Sequence, residues 1–194
     1  MEITSAQLKE LRDKTGISVM QCKKALEEAN GDMEKAVIIL KKRRSEAAEK
    51  KSDRALGAGA VGAYVHNTNE VAAMVLLASE TDFVSKNPEF IALAKDIAMQ
   101  VAAIDPKYIS KADVPPEAIE KAKEVFAGEI VGKPADMQEK IMEGKLASYF
   151  KDQILMEQPF IKNPEVTIGE MVTGAVQKFG ENIIITEITR VSVK

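Results

Sequence analysis

Apolar residues at the start of the chain have the spacing of three short amphipathic helices. Capping boxes, in which two side chains satisfy backbone donors near each other, begin the first helix at Thr4 with Gln7 and the second at Ser18 with Gln21. Apolar residues on the second and third helices recur at i, i+3, i+4 and i+7. They are Cys22, Ala25, Leu26 and Ala29, then Met33, Ala36, Val37 and Leu40. The pattern predicts a compact bundle of three helices over residues 1–40.

After residue 57 the pattern changes to β-branched and apolar runs bounded by polar turns. Residues 61–66 and 71–77 flank a polar turn at 67–69 and predict a β-hairpin. Residues 181–194 are rich in Ile, Val and Thr, and we expect them to add a strand to that hairpin. A small antiparallel sheet is therefore predicted in the second part of the chain.

Helix-start signals predict several helices around these strands. Pro88, Pro116 and Pro134 each lie at a predicted helix start, and Thr167 with Glu170 forms another capping box. The apolar faces of the first three of these helices are Phe90, Ala94, Ile97, Ala98 and Val101, then Ala118, Ala122, Val125 and Phe126, then Met137, Ile141 and Tyr149. The fold class that follows is α+β, with helices packed against a small antiparallel sheet.

The composition changes between the helical bundle and the first strand. Lysine, arginine and glutamate dominate residues 41–53, and large apolar side chains are few. We interpret residues 41–56 as a charged helical linker, and we expect the small residues 55–60 to be a flexible entry to the next domain. The predicted domains are 1–40, 41–56 and 57–194.

Charge and composition narrow the possible partners and chemistry. The net charge of −3 favours a protein or small-molecule partner over nucleic acid. Basic residues between 41 and 51 leave RNA contact as a low-ranking alternative, because glutamates are interspersed and no aromatic side chain is there to stack on bases. No apolar run is long enough to cross a bilayer, and the N-terminus lacks a signal-peptide pattern. We therefore expect a cytoplasmic protein.

The chain has a single cysteine, Cys22, and a single histidine, His66. These counts exclude an intrachain disulfide and a metal site built from several cysteines or histidines. Cys22 falls on an apolar helix face, so we interpret it as a small buried side chain rather than a nucleophile. We expect neither a cofactor nor a bound metal.

Residues 79–84 are the most distinctive stretch of the sequence. Phe83 stands beside Asp82 in the connection between a predicted strand and a predicted helix, where core packing requires neither side chain. Connections between rigid elements carry binding residues more often than core segments do. We predict an exposed wedge here, formed by Thr81, Asp82, Phe83 and Val84.

Three further residues are candidates for contact with a partner. Met20 lies outside the apolar stripe near the start of the second helix, so it indicates a contact surface, although single exposed apolar residues are also common without a role. Arg12, next to the core residue Leu11, has the same two interpretations. His66 lies at the predicted hairpin turn, where hydrogen bonding explains it better than acid–base catalysis does.

Several separated segments resemble one family, the bacterial translation elongation factors Ts. Residues 11–16 (LRDKTG) and 20–32 (MQCKKALEEANGD) resemble the ubiquitin-associated-like module of that family. Residues 81–84 (TDFV) match its exchange motif, and residues 142–146 (MEGKL) and 158–161 (QPFI) match later segments. The resemblance covers nearly the whole chain. It implies that the helical bundle is ubiquitin-associated-like and that an α+β core follows it.

The resemblance also implies a function. A member of this family is a guanine-nucleotide exchange factor for elongation factor Tu, and it has no catalytic chemistry of its own. It would bind the GDP-bound GTPase, displace the partner's Mg²⁺ and promote GDP release so that GTP can bind. The residues implied in Mg²⁺ displacement are Thr81, Asp82, Phe83 and Val84. The candidate partner-binding residues are Arg12, Val19, Met20 and His66.

The chain departs from the longer members of the family. It has room for one core subdomain, so it resembles the short form, in which a homodimer supplies the missing contact surface. Family members often carry two methionines where this chain has Val19 and Met20. The resemblance therefore implies a slightly smaller contact at that point.

Two other classes of function remain open. One is a protein-binding and dimerisation module without exchange activity. The second is an enzyme, which ranks far lower because it would need a nucleophile–base pair or a carboxylate dyad, and the sequence contains no such convergent motif.

Overall fold

The computed structural model describes residues 3–130 and 134–193. Contacts divide the chain into two compact units. Unit 1 comprises Met1–Ala55 and Thr173–Asn182, and unit 2 comprises Leu56–Val172 and Ile183–Lys194. The division into domains 1–40, 41–56 and 57–194 stays a prediction, and its end residues 1, 2 and 194 lie outside the described residues.

Unit 1 contains the three helices predicted for the N-terminal part of the chain. They are α1 (Ser5–Thr15), α2 (Val19–Glu28) and α3 (Met33–Glu49). Their buried core cluster is formed by Leu11, Ile17, Cys22, Ala25, Leu26, Ala29, Ala36 and Leu40. The cluster includes every apolar position predicted for the second helix, and Cys22 is buried as expected. α3 continues without a break into the charged segment, where its side chains are largely solvated.

Local side chains set the ends of these helices. The predicted capping box of α1 is present, since Thr4 Oγ1 accepts from Gln7 N at 3.3 Å and Gln7 Oε1 accepts from Thr4 N at 3.0 Å. Gly16 ends α1 with a φ of 68°, in the left-handed region that favours glycine. The second predicted capping box is only half formed: Ser18 Oγ accepts from Gln21 N at 3.4 Å and begins α2, whereas Gln21 Oε1 accepts from Gln177 Nε2. The capping bonds join residues close in sequence, so the sequence pattern was able to reveal them.

Unit 2 contains two antiparallel sheets. Its strands are β1 (Ala58–Val65), β2 (Val71–Ser79), β3 (Pro159–Phe160), β4 (Asn163–Thr167) and β5 (Ile183–Ser192). The larger sheet has the order β1-β2-β5, and β3 pairs with β4 in the smaller one. The predicted hairpin and the predicted third strand are therefore confirmed, except that residue 194 lies outside the described residues. The β3–β4 pair was not predicted.

The remaining helices follow β2 and precede β5. They are α4 (Asp82–Ser85), α5 (Pro88–Ile104), α6 (Pro116–Ile130), α7 (Ala135–Lys151) and α8 (Ile168–Phe179). The predicted start of α5 is confirmed, with Asn87 Oδ1 accepting from Glu89 N at 2.9 Å. All five apolar residues predicted for its face are buried, and α5 packs against the larger sheet. The fold is α+β, as expected.

A close approach between β1 and α5 corrects one expectation. β1 begins at Ala58, inside the stretch 55–60 that we expected to be flexible. A Cβ added at Gly62 would lie 2.1 Å from Ala94 O in α5, and one added at Gly59 would lie 2.8 Å from Leu77 O. The small residues are therefore required for contact between backbones rather than for flexibility.

Two predicted helix faces are only partly correct. Val125 of α6 is 71% exposed, and Met137 and Tyr149 of α7 are about half exposed. α6 and α7 pack against each other, with Ala122 buried and Ala118 packed on the same cluster as predicted for α6, whereas α7 buries Phe150 rather than Tyr149. A helix that packs on few neighbours buries a narrower stripe than its apolar pattern suggests.

A buried amide in α5 ties the smaller sheet to this helix. Gln100 is fully buried, and its Nε2 donates to Gln158 Oε1 at 3.0 Å and to Pro159 O at 3.2 Å. Its Oε1 accepts from Ile161 N at 2.9 Å. Both ends of the amide are therefore satisfied, as buried polar groups require.

We expect Gly62→Ala to destabilise the protein by about 3 kcal/mol or more, because the added methyl group would overlap the backbone of α5. Gly128→Ala is the matched control, since Gly128 lies inside α6 with nothing within 4 Å of an added Cβ. The control should gain about 0.5–1 kcal/mol from helix propensity. Urea unfolding followed by circular dichroism measures both, and equal unfolding midpoints for the two variants would contradict the close approach.

Candidate functional site

The backbone of the predicted wedge is fixed where β2 ends. Ser79 is fully buried, and its Oγ donates to Thr81 O at 3.0 Å. The carbonyl of Ser79 accepts from Gly57 N at 3.2 Å. A Cβ added at Gly57 would lie 3.0 Å from Glu80 O, so the chain before β1 runs close beside this connection. The turn is thus supported on both sides by hydrogen bonds and close packing.

The four residues of α4 divide into exposed and buried side chains. Phe83 is 85% exposed, whereas Val84 is only 4% exposed and Ser85 is also buried. Ser85 Oγ donates to Asp82 O at 3.3 Å and closes the short helical turn. The expectation of an exposed wedge is therefore correct for Thr81, Asp82 and Phe83. It is wrong for Val84, because a helical turn directs neighbouring side chains to different sides and the fourth residue meets the core.

An ion pair lies beside the exposed phenyl ring. Lys86 Nζ lies 2.6 Å from Asp82 Oδ2, and both side chains are largely exposed. The pKa of Asp82 is lowered below the ordinary value for a carboxyl group. The main cause is the hydrogen bond from Lys86, and the positive charge of Lys86 is the second. Asp82 is therefore a carboxylate at neutral pH, with its charge partly satisfied within the chain. The i,i+4 spacing of the two residues was the sequence signal that could have revealed this pair.

The candidate residues of unit 1 flank the turn between α1 and α2. Arg12 is exposed in the last turn of α1, and Val19 and Met20 open α2. Met20 is 70% exposed and Val19 is 48% exposed, as expected of a contact surface. The buried residues Ile17 and Cys22 lie on either side of them in sequence and fix this turn to the helical core.

His66 lies at the opposite end of β2 from the wedge. It follows β1 and precedes β2, whereas the wedge follows β2, and the nine residues of β2 separate them. At about 3.3 Å per residue the two sites are roughly 30 Å apart along the strand. The imidazole Nδ1 lies 3.0 Å from Thr68 Oγ1, and the ring meets Tyr64 edge-on with centroids 6.3 Å apart. The structure therefore does not bring His66 together with Phe83.

A neighbour of His66 was missed in the sequence. Arg190 of β5 lines the same cavity of about 340 Å³ as His66 and Tyr64. Its Nε donates to Ala102 O at 3.1 Å near the end of α5, and its Nη1 lies 3.4 Å from Asp105 Oδ2. Arginine side chains often bond to the last carbonyls of a helix. This arginine was missed because the carbonyl of Ala102 lies 88 positions away in the sequence.

The described residues, 3–130 and 134–193, contain neither a metal-binding cluster nor a membrane-spanning helix. Within those ranges, no group of three or more His, Cys, Asp or Glu residues is arranged to hold a metal ion. Among the helices that the structure describes, none is both long enough and apolar enough to cross a membrane.

Comparison with known proteins finds similarity along the whole chain. A sequence model of the family described as Elongation factor TS matches residues 40–194. The elongation factor Ts of Carboxydothermus hydrogenoformans is 48% identical over 190 residues, which cover 97% of this chain and 88% of that protein. That of Heliobacterium modesticaldum is 47% identical, with the same coverage. That of Thermodesulfovibrio yellowstonii is 47% identical over 194 residues, covering 100% of this chain and 97% of its own length.

We expect Lys86→Met to raise the pKa of Asp82 towards its ordinary value, because the variant removes the donor and the charge that lower it. The ion pair is present above the ordinary carboxyl pKa and is lost as the pH falls through the lowered value. Titration of the side-chain carboxyl signals by ¹³C NMR measures the shift. Lys86→Arg, which keeps the charge, is the control. An unchanged Asp82 titration in Lys86→Met would show that the pair is not formed in solution.

Proposed function

The chain belongs to the elongation factor Ts family, and from this membership we propose that it acts on elongation factor Tu as a guanine-nucleotide exchange factor in translation elongation. The observation in this chain that carries the proposal is Phe83, a large apolar side chain exposed on a turn whose backbone is fixed from beneath. The protein acts by changing the partner's affinity for GDP, not by making or breaking covalent bonds.

The proposed mechanism begins at the bound nucleotide of the partner. A GTPase holds GDP through a phosphate loop and a Mg²⁺ ion, and Mg²⁺ demands near-ideal octahedral geometry. Small displacements of its surroundings therefore weaken it greatly. In the proposal, Phe83 inserts between elements of the GTPase while Asp82 engages polar groups nearby. Thr81 shapes the turn, and the buried Val84 holds the turn in place when Phe83 is pressed against the partner.

The energy of the wedge is comparable with the coupling that it must supply. Burial of one phenylalanine side chain stabilises a complex by roughly 1.5–3 kcal/mol, and coupling between two sites is typically about 1–3 kcal/mol. Coupling is reciprocal, so GDP must weaken binding of the factor as much as the factor weakens binding of GDP. The burial energy of one phenylalanine is therefore no larger than the coupling free energy that it must supply. Further contacts must stabilise the distorted complex.

We assign those further contacts to the helical part of the chain. Residues 1–40 would form a ubiquitin-associated-like module that binds the GTPase through Arg12, Val19 and Met20, and residues 41–56 would link it to the exchange core at 57–194. The exposure of Met20 and Val19 supports this assignment. His66, at the far end of β2, would make a separate contact with the partner. We place this activity in the cytoplasm, where translation takes place.

We also propose that the protein is a homodimer. The face of the larger sheet opposite α5 exposes apolar side chains on all three strands: Val61, Val65, Met74, Ile184 and Val191. Exposed apolar side chains gathered on one face are typical of an interaction surface. A two-fold symmetric dimer brings the same surface of both chains together. An apolar sheet face on one chain would therefore be covered by the same apolar face of a second copy. This agrees with the family resemblance, in which short members supply a second contact surface by dimerising.

We expect Phe83→Ala and Asp82→Ala to abolish most of the acceleration of GDP release. The measurement is stopped-flow release of fluorescent GDP from elongation factor Tu, with and without each variant. Phe83→Ala should leave stability within about 0.5 kcal/mol of the wild type, because the side chain is exposed in the free protein. Val84→Ala should instead destabilise the fold by about 2 kcal/mol, because it removes buried methyl groups.

Val125→Ala is the matched control for loss of an exposed apolar side chain, since Val125 is 71% exposed on α6. It should retain wild-type exchange. If the wild-type protein binds the GTPase but leaves GDP release unchanged, the exchange function is wrong and a binding module without exchange activity replaces it.

We expect Met74→Glu to dissociate the homodimer, because it places a charge at the centre of the apolar sheet face. Sedimentation velocity should give twice the mass of one chain for the wild type and one chain for the variant. Val125→Glu, an equal change on a helix surface, should stay dimeric. A wild-type protein that sediments as a single chain would refute the dimer.

A further inference from the structure

Arg44 connects two helices of unit 1 through its guanidinium group. Its Nη2 donates to Thr15 O at 2.7 Å, and its Nε donates to Gln177 Oε1 at 3.1 Å. Thr15 is the last residue of α1, and Gln177 lies in the part of α8 that belongs to unit 1. One side chain on α3 therefore bonds to the ends of two other segments.

Gln177 carries the connection to the candidate contact surface. Its Nε2 donates to Gln21 Oε1 at 2.9 Å, so the amide accepts from Arg44 with its oxygen and donates to α2 with its nitrogen. Gln21 directly follows Met20. The guanidinium also lies beside Gly174, where an added Cβ would be in ordinary van der Waals contact with Arg44 Nη1 at 3.5 Å. We call Arg44, Gln177, Gln21 and the carbonyl of Thr15 the polar clamp.

The chemistry of the polar clamp suits arginine in particular. The last carbonyls of a helix lack partners within the helix, and the negative end of the helix dipole favours a cation there. The carbonyl of Thr15 is one of these groups. Arginine presents several donors in a rigid planar fork, so it can satisfy this carbonyl and the Gln177 amide together. A lysine ammonium is a compact point charge on a flexible stem and does not reproduce the fork.

We propose that Arg44 is a positioning residue for partner binding. Through Thr15 on one side and Gln177 with Gln21 on the other, it fixes the turn that carries Val19 and Met20. A surface already fixed in its binding conformation does not pay the cost of ordering when it meets a partner. The inference rests on the proposed function, since it assigns Met20 to the interface with the GTPase. Hydrogen bonds from a charged donor are the stronger kind, so loss of Arg44 should matter more than loss of either glutamine.

The test is the dependence of GDP release on the concentration of the factor. Arg44→Met should raise the half-saturating concentration about tenfold, the loss expected when charged hydrogen bonds are removed, while the plateau rate stays unchanged because the wedge is intact. Arg44→Lys should restore only part of the affinity. Lys42→Met is the matched control on the same helix, since the side chain of Lys42 is 77% exposed, and it should behave as the wild type.

A double-mutant cycle separates positioning from general stability. If Arg44 acts by orienting Met20, Met20→Ala should weaken binding less in the Arg44→Met background than in the wild type. Independent effects would add. Gln177→Leu removes the link to α2 but keeps the bond from Arg44 to Thr15 O. It should therefore change affinity in the same direction by a smaller factor, and it serves if Arg44→Met does not fold.

A measurement without the partner keeps the inference independent of exchange activity. Amide hydrogen exchange in residues 15–22 should speed up at least several-fold in Arg44→Met and Gln177→Leu, relative to the wild type and Lys42→Met. Three results would each overturn the proposal: unchanged amide hydrogen exchange in residues 15–22 of Arg44→Met, an unchanged half-saturating concentration for that variant, or additive effects of Arg44→Met and Met20→Ala. A wild-type protein that does not accelerate GDP release would refute the proposed function, but it would not change the hydrogen-exchange result.

Discussion

The close approach of β1 to α5 is the constraint on which unit 2 depends. At Gly62 no side chain separates the strand from the backbone of Ala94, so the helix lies directly on the sheet. The antiparallel register then fixes β2 relative to β1, and β2 ends at Ser79. Because the hydrogen bonds of Ser79 and Gly57 support the turn that follows, the position of Phe83 is set by contacts that Phe83 itself does not make.

Both candidate contact surfaces combine an exposed apolar side chain with a fixed backbone. In unit 2, Phe83 stands on a turn whose next residue, Val84, is buried. In unit 1, Met20 stands in a helical turn between the buried residues Ile17 and Cys22. Arg44 bonds to Thr15 at the end of the preceding helix and, through Gln177, to Gln21. An apolar side chain on a rigid support loses little freedom when it docks, which favours binding by short surfaces.

Local signals in the sequence were enough for the caps, the hairpin and the buried face of α5. Each depends on residues a few positions apart, as Thr4 and Gln7 show. Sequence signals failed where the burial or bonding of a side chain depends on residues distant in sequence. Tyr149 was predicted buried, but the cluster beneath α7 receives Phe150. The bonds of Arg44 join residues 29 and 133 positions away, which no periodicity could reveal. The exposure of Phe83 was predictable because the position breaks the core pattern, whereas the burial of Val84 followed from the helical turn that α4 makes.

The division of labour in α4 also affects how this stretch evolves. Since main-chain bonds and Val84 secure the turn, the side chain at position 83 contributes almost nothing to folding. Folding stability therefore does not select for a phenyl ring at this position, whereas the proposed contact with a partner does. Position 84 experiences the reverse pressure. The two adjacent residues are therefore under different constraints, and a substitution at position 83 can change the proposed contact with a GTPase without unfolding the protein.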